Sequence, residues 1–439
     1  MHKRKSIAVI GSGISGLSAA WLLSRAHDVT LFESDGRLGG HSNTFEAAGC
    51  PVDTGFIVFN PVSYPNLVAL FDHLGVPTQD APMGFSVSLD GGKAEYSGAS
   101  VGTLIGHTRN LASADHWRMM IDLVRFLRQG PHWARTMADE TVTLATFLKQ
   151  KGFSDAFSRR HILPMAAAIW STPSDEVMNF PAAAFFRFFA NHGLLEVRQR
   201  PQWQTVTGGS RVYVQKLLRD FRGSVRAASP VQAITRHAGR VDVHSGEMTS
   251  PFDACVIATH ADQALRLLTD PSAEERRLLG AFAYAENRAV LHRDPTLMPR
   301  RRHLWSSWNY LAAPNVAGRE RLSVTYWMSE LQSLGDRQLF VTLNPTRPVR
   351  QEAIIAAFDY AHPIFDRNAM TAQKQLWSLQ GQRNTWLCGS YFGYGFHEDG
   401  LQAGLAVAEQ LGGVTRPWAI ESGSSRIHVR PVERAMELA

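Results

Sequence analysis

The chain has 439 residues, more than one ordinary hydrophobic core requires, and this length points to two lobes. Its 44% hydrophobic and 19% charged residues are those of a folded soluble protein, which excludes extended disorder, and no apolar run approaches the roughly 20 residues of a membrane-spanning helix. The net charge of +6 is modest and spread along the chain without a nucleic-acid-binding motif, so nucleic acid is excluded as a partner, whereas an anionic substrate or a membrane met from the side stays open.

After Met1-His2-Lys3-Arg4-Lys5 comes the apolar run Ile7-Ala8-Val9-Ile10, too short for a signal-peptide core, so a cytoplasmic location is expected. The run passes through Gly11-Ser12-Gly13-Ile14-Ser15-Gly16 into Leu17-Ser18-Ala19-Ala20-Trp21-Leu22-Leu23, the order of a strand, a tight turn and a helix start. The unpaired N–H groups of such a turn bind a pyrophosphate. Gly11 makes the turn, Gly13 admits the phosphate, Ile14 and Ser15 begin the helix, and Gly16 lets helix and strand pack closely. Glu33 ends a second apolar run, Val29-Thr30-Leu31-Phe32, where a carboxylate accepts hydrogen bonds from both ribose hydroxyls of an adenosine and repels a 2′-phosphate. Ser34 follows it, and then Arg37, Gly39, Gly40 and His41.

This βαβ unit runs to about Asp53-Thr54-Gly55, and a helix is expected around Asn66 to Leu74. Alternating runs such as Phe85-Ser86-Val87-Ser88-Leu89 fit strands. From about Ser100 to His192 the pattern is helical, with His116, Trp117, Met119, Met120, Leu123, Val124, Phe126 and Leu127 crowding apolar faces between arginines. A helix from about Arg211 to Phe221 follows, and Ala289 to Asp366 is rich in strand-like runs. The stretch after Thr415 is punctuated by proline and serine and reads as a partly ordered tail. Cys50, Cys255 and Cys388 have no metal-ligand spacing, so reduced thiols and no metal are expected.

The pattern Glu33-x-x-x-Arg37-x-Gly39-Gly40 resembles that of a large flavoprotein group containing the flavin amine oxidases, protoporphyrinogen oxidase and the carotenoid desaturases. Asp53-Thr54-Gly55, the glycine turn Thr207-Gly208-Gly209-Ser210, Val231 after Ser229-Pro230, and the strand Asp253 to His260 resemble further elements of that group. So do Asn384 to Ser390 and the helix start Gly400-Leu401, similar to its closing flavin motif. The resemblance implies FAD as cofactor. Arg37 would help hold it, Gly55 would line the flavin, Val231 would meet the adenine, and Gly389, Ser390, Gly400 and Leu401 would lie at the flavin ring and ribityl chain. His41 stands where an arginine is common in amine oxidases, and Ser390 where the group usually has an acid. The implied fold is α/β: a discontinuous Rossmann-like FAD-binding domain (1–85, 203–285 and 378–415), a discontinuous α+β substrate domain with a helical insertion (86–202 and 286–377), and a C-terminal tail (416–439).

Two chemistries follow, both starting with hydride loss from an activated C–H. Amine oxidation is the first. Many amine oxidases carry a lysine near the flavin, but there is none from Leu217 through Gln373; Tyr391 and Tyr394 would supply aromatic rings. The second is desaturation of a lipid acyl chain. Phe180, Phe185, Phe186, Phe188, Phe189 and Leu194 would line an acyl tunnel. The runs Ala168-Ile169-Trp170-Ser171, Trp305 to Tyr310 and Gly393 to Gly400 resemble a bacterial subgroup often encoded beside cyclopropane-fatty-acid-synthase-like methyltransferases, which implies unsaturated, methyl-branched or furan-containing acyl chains. A third reading is a flavin-binding protein without catalysis. His397 is the expected proton acceptor with Glu398 beside it. Trp170, Trp305 and Trp308 are expected to flank the substrate and Asn309 to orient a head group. His292 and Asp294 are weaker candidates, and Arg300, Arg301, Arg302 and His303 form a basic cluster that could meet lipid phosphates. The sequence leaves the electron acceptor open, with oxygen and a quinone both compatible.

Overall fold

Ile7-Ala8-Val9-Ile10 is buried along its length because strand Ser6–Ile10 is central in a five-stranded parallel sheet, covered on both faces. It pairs with Asp28–Phe32 on one side and Ala254–Ile257 on the other, with Thr385–Leu387 and Ser224–Arg226 at the edges. The computed structural model describes residues 3–170, 174–191, 193–196, 201–313, 321–421 and 423–430.

Helix Ile14–Leu23 follows the first strand and has every residue buried. It packs on the last long helix, His397–Gly412, through small residues: a Cβ on Gly404 would lie 2.2 Å from the Ser15 carbonyl oxygen, and one on Gly400 2.7 Å from Ser15 Oγ. This close approach brings the N-termini of both helices to one side of the sheet.

A second sheet has seven strands in the order Ile354–Ile364, Ala283–His292, Phe340–Leu343, Arg321–Trp327, Trp308–Ala313, Phe85–Leu89 and Ala94–Ser97. All its pairs are antiparallel except Trp308–Ala313 with Phe85–Leu89. Between Val101 and Asn191 the described residues are mostly helical, as the apolar spacing predicts, with the long helix Ala114–Thr136 packed on Ala182–Asn191. Phe126 sits among Phe153, Phe157, Phe185, Phe186 and Phe189 at their centre.

The described residues beyond Thr415, up to Arg430, pack back onto this body. Arg416 grips Glu409 through both carboxylate oxygens, Trp418 stacks on Trp21, and Arg426 lies 3.4 Å from buried Asp399. The three cysteines are buried and unpaired, and burial pushes the Cys255 thiol up to about 12.

Candidate functional site

A cavity of about 1290 Å³ runs from the carboxyl ends of the parallel strands to the helical region and the seven-stranded sheet. This is where open α/β sheets take their ligands. At one end it is lined by Gly11, Ser12, Gly13, Ile14, Ser15, Glu33, Ser34, Gly40, His41, Gly55, Val231, Gly389 and Ser390.

The glycines divide the work by geometry. Gly11 has φ +100°, its N–H donates to the Phe32 carbonyl, and a Cβ there would lie 3.0 Å from the Ala258 carbonyl oxygen. Gly13 caps helix Ile14–Leu23, and a Cβ on it would meet nothing within 4 Å, so the space beside it is cavity. A Cβ on Gly16 would lie 1.9 Å from the Gly11 carbonyl oxygen, which makes this glycine a packing residue. Gly39 and Gly40 have φ +114° and +56°, and a Cβ on Gly40 would lie 3.0 Å from Gly13 Cα. The two glycine loops therefore touch, and a side chain on Gly40 would press on the first loop at the contact.

Ser12 joins these loops: its N–H and hydroxyl donate to Glu33, and its carbonyl and hydroxyl oxygens accept from the Gly39 N–H. Partial burial pushes the Glu33 carboxyl up, but hydrogen bonds from the Asp35 N–H and from Ser12 and Ser34 outweigh it and hold the group below its ordinary value. Glu33 is thus a fixed anion at the cavity edge.

Some expected cofactor residues act at one remove. Arg37 is exposed and donates to the carbonyls of Gly40 and Ser42, so it braces the glycine loop and does not line the cavity. Gly39 is likewise part of the loop's inner wall. Leu401 is fully buried in the core, and Gly16 and Gly400 set helix packing. Val231 and Ser390 do line the cavity, Ser390 with its hydroxyl bonded to no described residue.

His397 lines the cavity with its ring stacked on Phe56 and its Nε2 2.8 Å from the Tyr213 hydroxyl and 3.1 Å from Ser42 Oγ. Burial pushes it down to about 3, so it is neutral near pH 7 and a poor proton acceptor, contrary to expectation. Glu398 faces away from the cavity. Its carboxylate accepts from the backbone N–H groups of Asn66 and Leu67 at the start of helix Pro65–Leu74, and from the side-chain amides of Asn66 and Gln402. That role is structural. Tyr391 and Tyr394 both line the cavity. Tyr391 is 1% exposed, its hydroxyl has no partner among the described residues, and burial raises it well above its ordinary value.

Three imidazoles that the spacing of the sequence does not connect gather beside the glycine loops. His41 lies 5.4 Å from His362 and 6.2 Å from His260 between ring centroids, with Tyr360 at 5.0 Å. Burial, and then mutual repulsion, hold His41 well below its ordinary value, and burial brings His362 down to about 4. Only the replacement of an arginine by His41 hinted at the cluster. The described residues hold no group of three or more His, Cys, Asp or Glu that could bind a metal ion.

The far part of the cavity is apolar. Leu104, Leu123, Phe126, Leu127, Met165, Phe188, Phe189 and Leu194 line it. Phe180, Phe185 and Phe186 belong to the core instead. Trp308 lines the cavity, and its Nε1 is buried without a partner among the described residues. Trp305 does not: it donates to the Pro299 carbonyl and packs on Trp327 and Phe340. Asn309 is also structural, its amide bonded to Ser86, Ser306 and the Thr325 carbonyl. The side chain of Trp170 and all of Ser171 lie outside the described residues. His292 ends a strand of the second sheet and Asp294 caps the turn after it; both are buried, the first bonded to Thr342 and the second to the Arg350 and Thr296 N–H groups. Arg301 is held by buried Glu95, so the basic cluster is partly internal.

The near end fits a flavin dinucleotide: open space at Gly13, an anion at Glu33, two helix N-termini and an uncommitted Ser390 hydroxyl. Glu33 would hold the ribose, Gly11 to Ser15 the pyrophosphate, Val231 the adenine and Ser390 the ribityl chain.

A family described as flavin containing amine oxidoreductase matches residues 14–330. Among curated relatives, "Putative flavin-containing monoamine oxidase AofH" of Mycobacterium tuberculosis is 27% identical over 275 residues, covering 60% of this chain and 59% of that protein. Coproporphyrinogen III oxidase of Propionibacterium freudenreichii is 31% identical over 185 residues, covering 39% of this chain and 33% of that protein. The chain thus spans less than two thirds of the length of these relatives. Among solved structures, a CLA-producing fatty acid isomerase from P. acnes has a TM-score of 0.66 at 17% identity, covering 93% of this chain and 98% of that one. Putrescine oxidase bound to putrescine has a TM-score of 0.67 at 15% identity, covering 93% and 99%. Those two likenesses concern the fold. The family match spans most of the chain and includes Glu33 and the second glycine loop, Gly39-Gly40, so this protein belongs to the flavin-containing amine oxidoreductase family, whose cofactor is FAD.

Proposed function

We propose that this protein is an FAD-dependent oxidoreductase that removes hydride from an activated C–H of a lipid acyl chain, unsaturated or methyl-branched. The observation that carries the reading is the lining of the cavity beyond the dinucleotide end. Leucines, phenylalanines and Met165 dominate it, and among the described residues the only carboxylate in the lining is Glu33, at the opposite end. An apolar chain gains about 0.8 kcal/mol for each methylene that enters such a space. A cationic amine would enter it without a counter-charge. The imidazole within this part, His161, is pushed by burial down to about 4 and is neutral.

FAD, when bound, supplies the hydride acceptor. The chain's residues position the acyl group, and Phe188, Phe189, Phe126 and Tyr394 keep water from it. An unsaturated substrate would lose hydride to that acceptor from the carbon next to its double bond and a proton to solvent from the neighbouring carbon, and the electron pair left by the proton would form the new double bond. Oxygen or a quinone then takes the electrons. The resemblance of Trp305 to Tyr310 and Gly393 to Gly400 to flavoproteins of modified fatty-acid synthesis supports this reading, as does the fold shared with a fatty acid isomerase. The same reading places the protein in the cytoplasm, in peripheral contact with the inner face of the membrane.

Amine oxidation is the second reading, favoured by the curated relative AofH and by Tyr391 and Tyr394 in the cavity wall. Anaerobic mixing of the FAD-loaded protein separates the two. Loss of flavin absorbance with unsaturated or methyl-branched acyl lipids, and not with polyamines or aromatic amines, supports the lipid reading. Bleaching by amines alone overturns it.

A further inference from the structure

Helix Ala114–Thr136 carries apolar residues on two opposite faces. One face holds Met119, Leu123 and Phe126 in the interior, and Leu123, Phe126 and Leu127 also line the cavity. The other face is exposed: Trp117 is 46%, Ile121 66% and Val124 53% accessible, at the i, i+4, i+7 spacing that makes one stripe. Leu111, 49% accessible, extends the stripe from the preceding turn, where its carbonyl accepts from Trp117 Nε1 at 2.9 Å. Half of the eight large exposed hydrophobics among the described residues lie in this one patch.

The flanks are basic. The helix has four arginines and two aspartates, and both aspartates are already engaged: Asp115 with Arg118 and Arg160, Asp122 with Arg125 and the Ser154 N–H. Arg128 and Arg109 are exposed and have no ion pair among the described residues. These charges also show that the helix does not cross a bilayer, and no described helix is long and apolar enough to do so.

We propose that the face formed by Leu111, Trp117, Ile121 and Val124 docks on an anionic lipid surface. Apolar side chains, a tryptophan among them, enter the headgroup boundary, and the flanking arginines meet lipid phosphates. The charge complementarity selects a bilayer over a second copy of this chain, whose own patch carries the same positive flanks. The place of the patch gives it a use. The cavity reaches the surface at Ala99 and Ser100, exposed residues that also line it, and Leu104 beside them rests on the first turn of the same helix, its carbonyl 3.1 Å from His116 Nε2. Docking would thus set one end of the apolar cavity beside the lipid. This purpose rests on the lipid-substrate reading; the docking itself does not.

The test is flotation of the FAD-loaded full chain with vesicles of phosphatidylcholine alone and of phosphatidylcholine with phosphatidylglycerol at three to one. The wild type is expected to float with the anionic vesicles and to be released by salt. Ile121→Ser with Val124→Ser should weaken this by about tenfold and Arg128→Gln by about fivefold, with flavin content and melting temperature unchanged. Equal binding by wild type and variants, or no binding by the wild type, overturns the proposal. So does a wild-type dimer that the double variant loses while vesicle binding stays absent, since a second copy would then own the face. Failure of the substrate reading looks different: the wild type floats, yet acyl lipids leave its flavin oxidised.

Discussion

His397 and Phe56 lie face to face, ring centroids 3.8 Å apart and planes 10° from parallel. The stack leaves His397 Nε2 to Tyr213 and Ser42, and burial keeps the ring neutral. His397→Ala is therefore expected to leave the rate of substrate-dependent flavin bleaching and its dependence on pH between 6 and 8 unchanged. It should lower stability by about 1–3 kcal/mol through the lost stack and hydrogen bonds. Stopped-flow absorbance and denaturant melts check the two halves separately. A large fall in the bleaching rate with a new pH dependence would restore His397 as a proton acceptor.

Glu398 neighbours His397 in sequence but serves the fold. Its carboxylate satisfies two backbone donors and two side-chain amides in the interior. Glu398→Ala leaves those donors unpaired and should cost about 3 kcal/mol or more, with no selective loss of bleaching rate in the protein that remains folded.

Gly13 and Gly16 should separate binding from folding. Gly13→Ala adds a methyl that meets no protein atom within 4 Å, so the fold should hold while FAD affinity drops by about tenfold or more, because the methyl occupies the pyrophosphate's approach. Gly16→Ala places its methyl 1.9 Å from the Gly11 carbonyl oxygen and should cost about 3 kcal/mol or more. Melting curves without FAD and fluorescence titration with FAD distinguish them. Equal effects on both measurements would contradict the assignment.

Acid should weaken the FAD-free protein through its buried histidines. His161, His292 and His362 are brought down to about 4 and His397 to about 3, so between those values and about 6.5 the unfolded chain binds more protons than the folded one. Stability is then full above about pH 6.5 and falls as pH drops towards 4. Each histidine contributes up to about 3 kcal/mol of that loss. Melting temperatures across this range check the sign; a constant value from pH 7 to pH 4.5 would refute it.

Glu33 should be decisive for the cofactor and minor for the fold. Glu33→Gln removes the fixed anion at the ribose position and should weaken FAD binding by about ten- to a hundredfold, the worth of one or two hydrogen bonds to a charged group. Equilibrium dialysis measures it.

Local chemistry made the dinucleotide end readable in the sequence. A strand, a turn that needs glycine, a helix N-terminus and an acid at the next strand's end all lie within Ile7 to Glu33, and each follows from backbone sterics or the pairing of charge over short spans. The same holds for the apolar spacing of the helices between Val101 and Asn191. The rest depends on which way side chains turn once distant segments meet. His397 and Glu398 are adjacent in the chain, but one turns to the cavity and the other to the start of helix Pro65–Leu74. Trp305 and Trp308 part in the same way, because the first packs on Trp327 and Phe340 while the second, at the start of a strand, reaches the cavity. The cluster of His41, His260 and His362 needs three segments, each separated from the next by more than a hundred residues, to converge, so no spacing could announce it. Glycine patterns and charge sufficed to place a dinucleotide, since they act within a few residues, and the family resemblance made it FAD; burial, which belongs to the assembled fold, determined which histidine is neutral, which glutamate is structural and which face of helix Ala114–Thr136 is left to the outside.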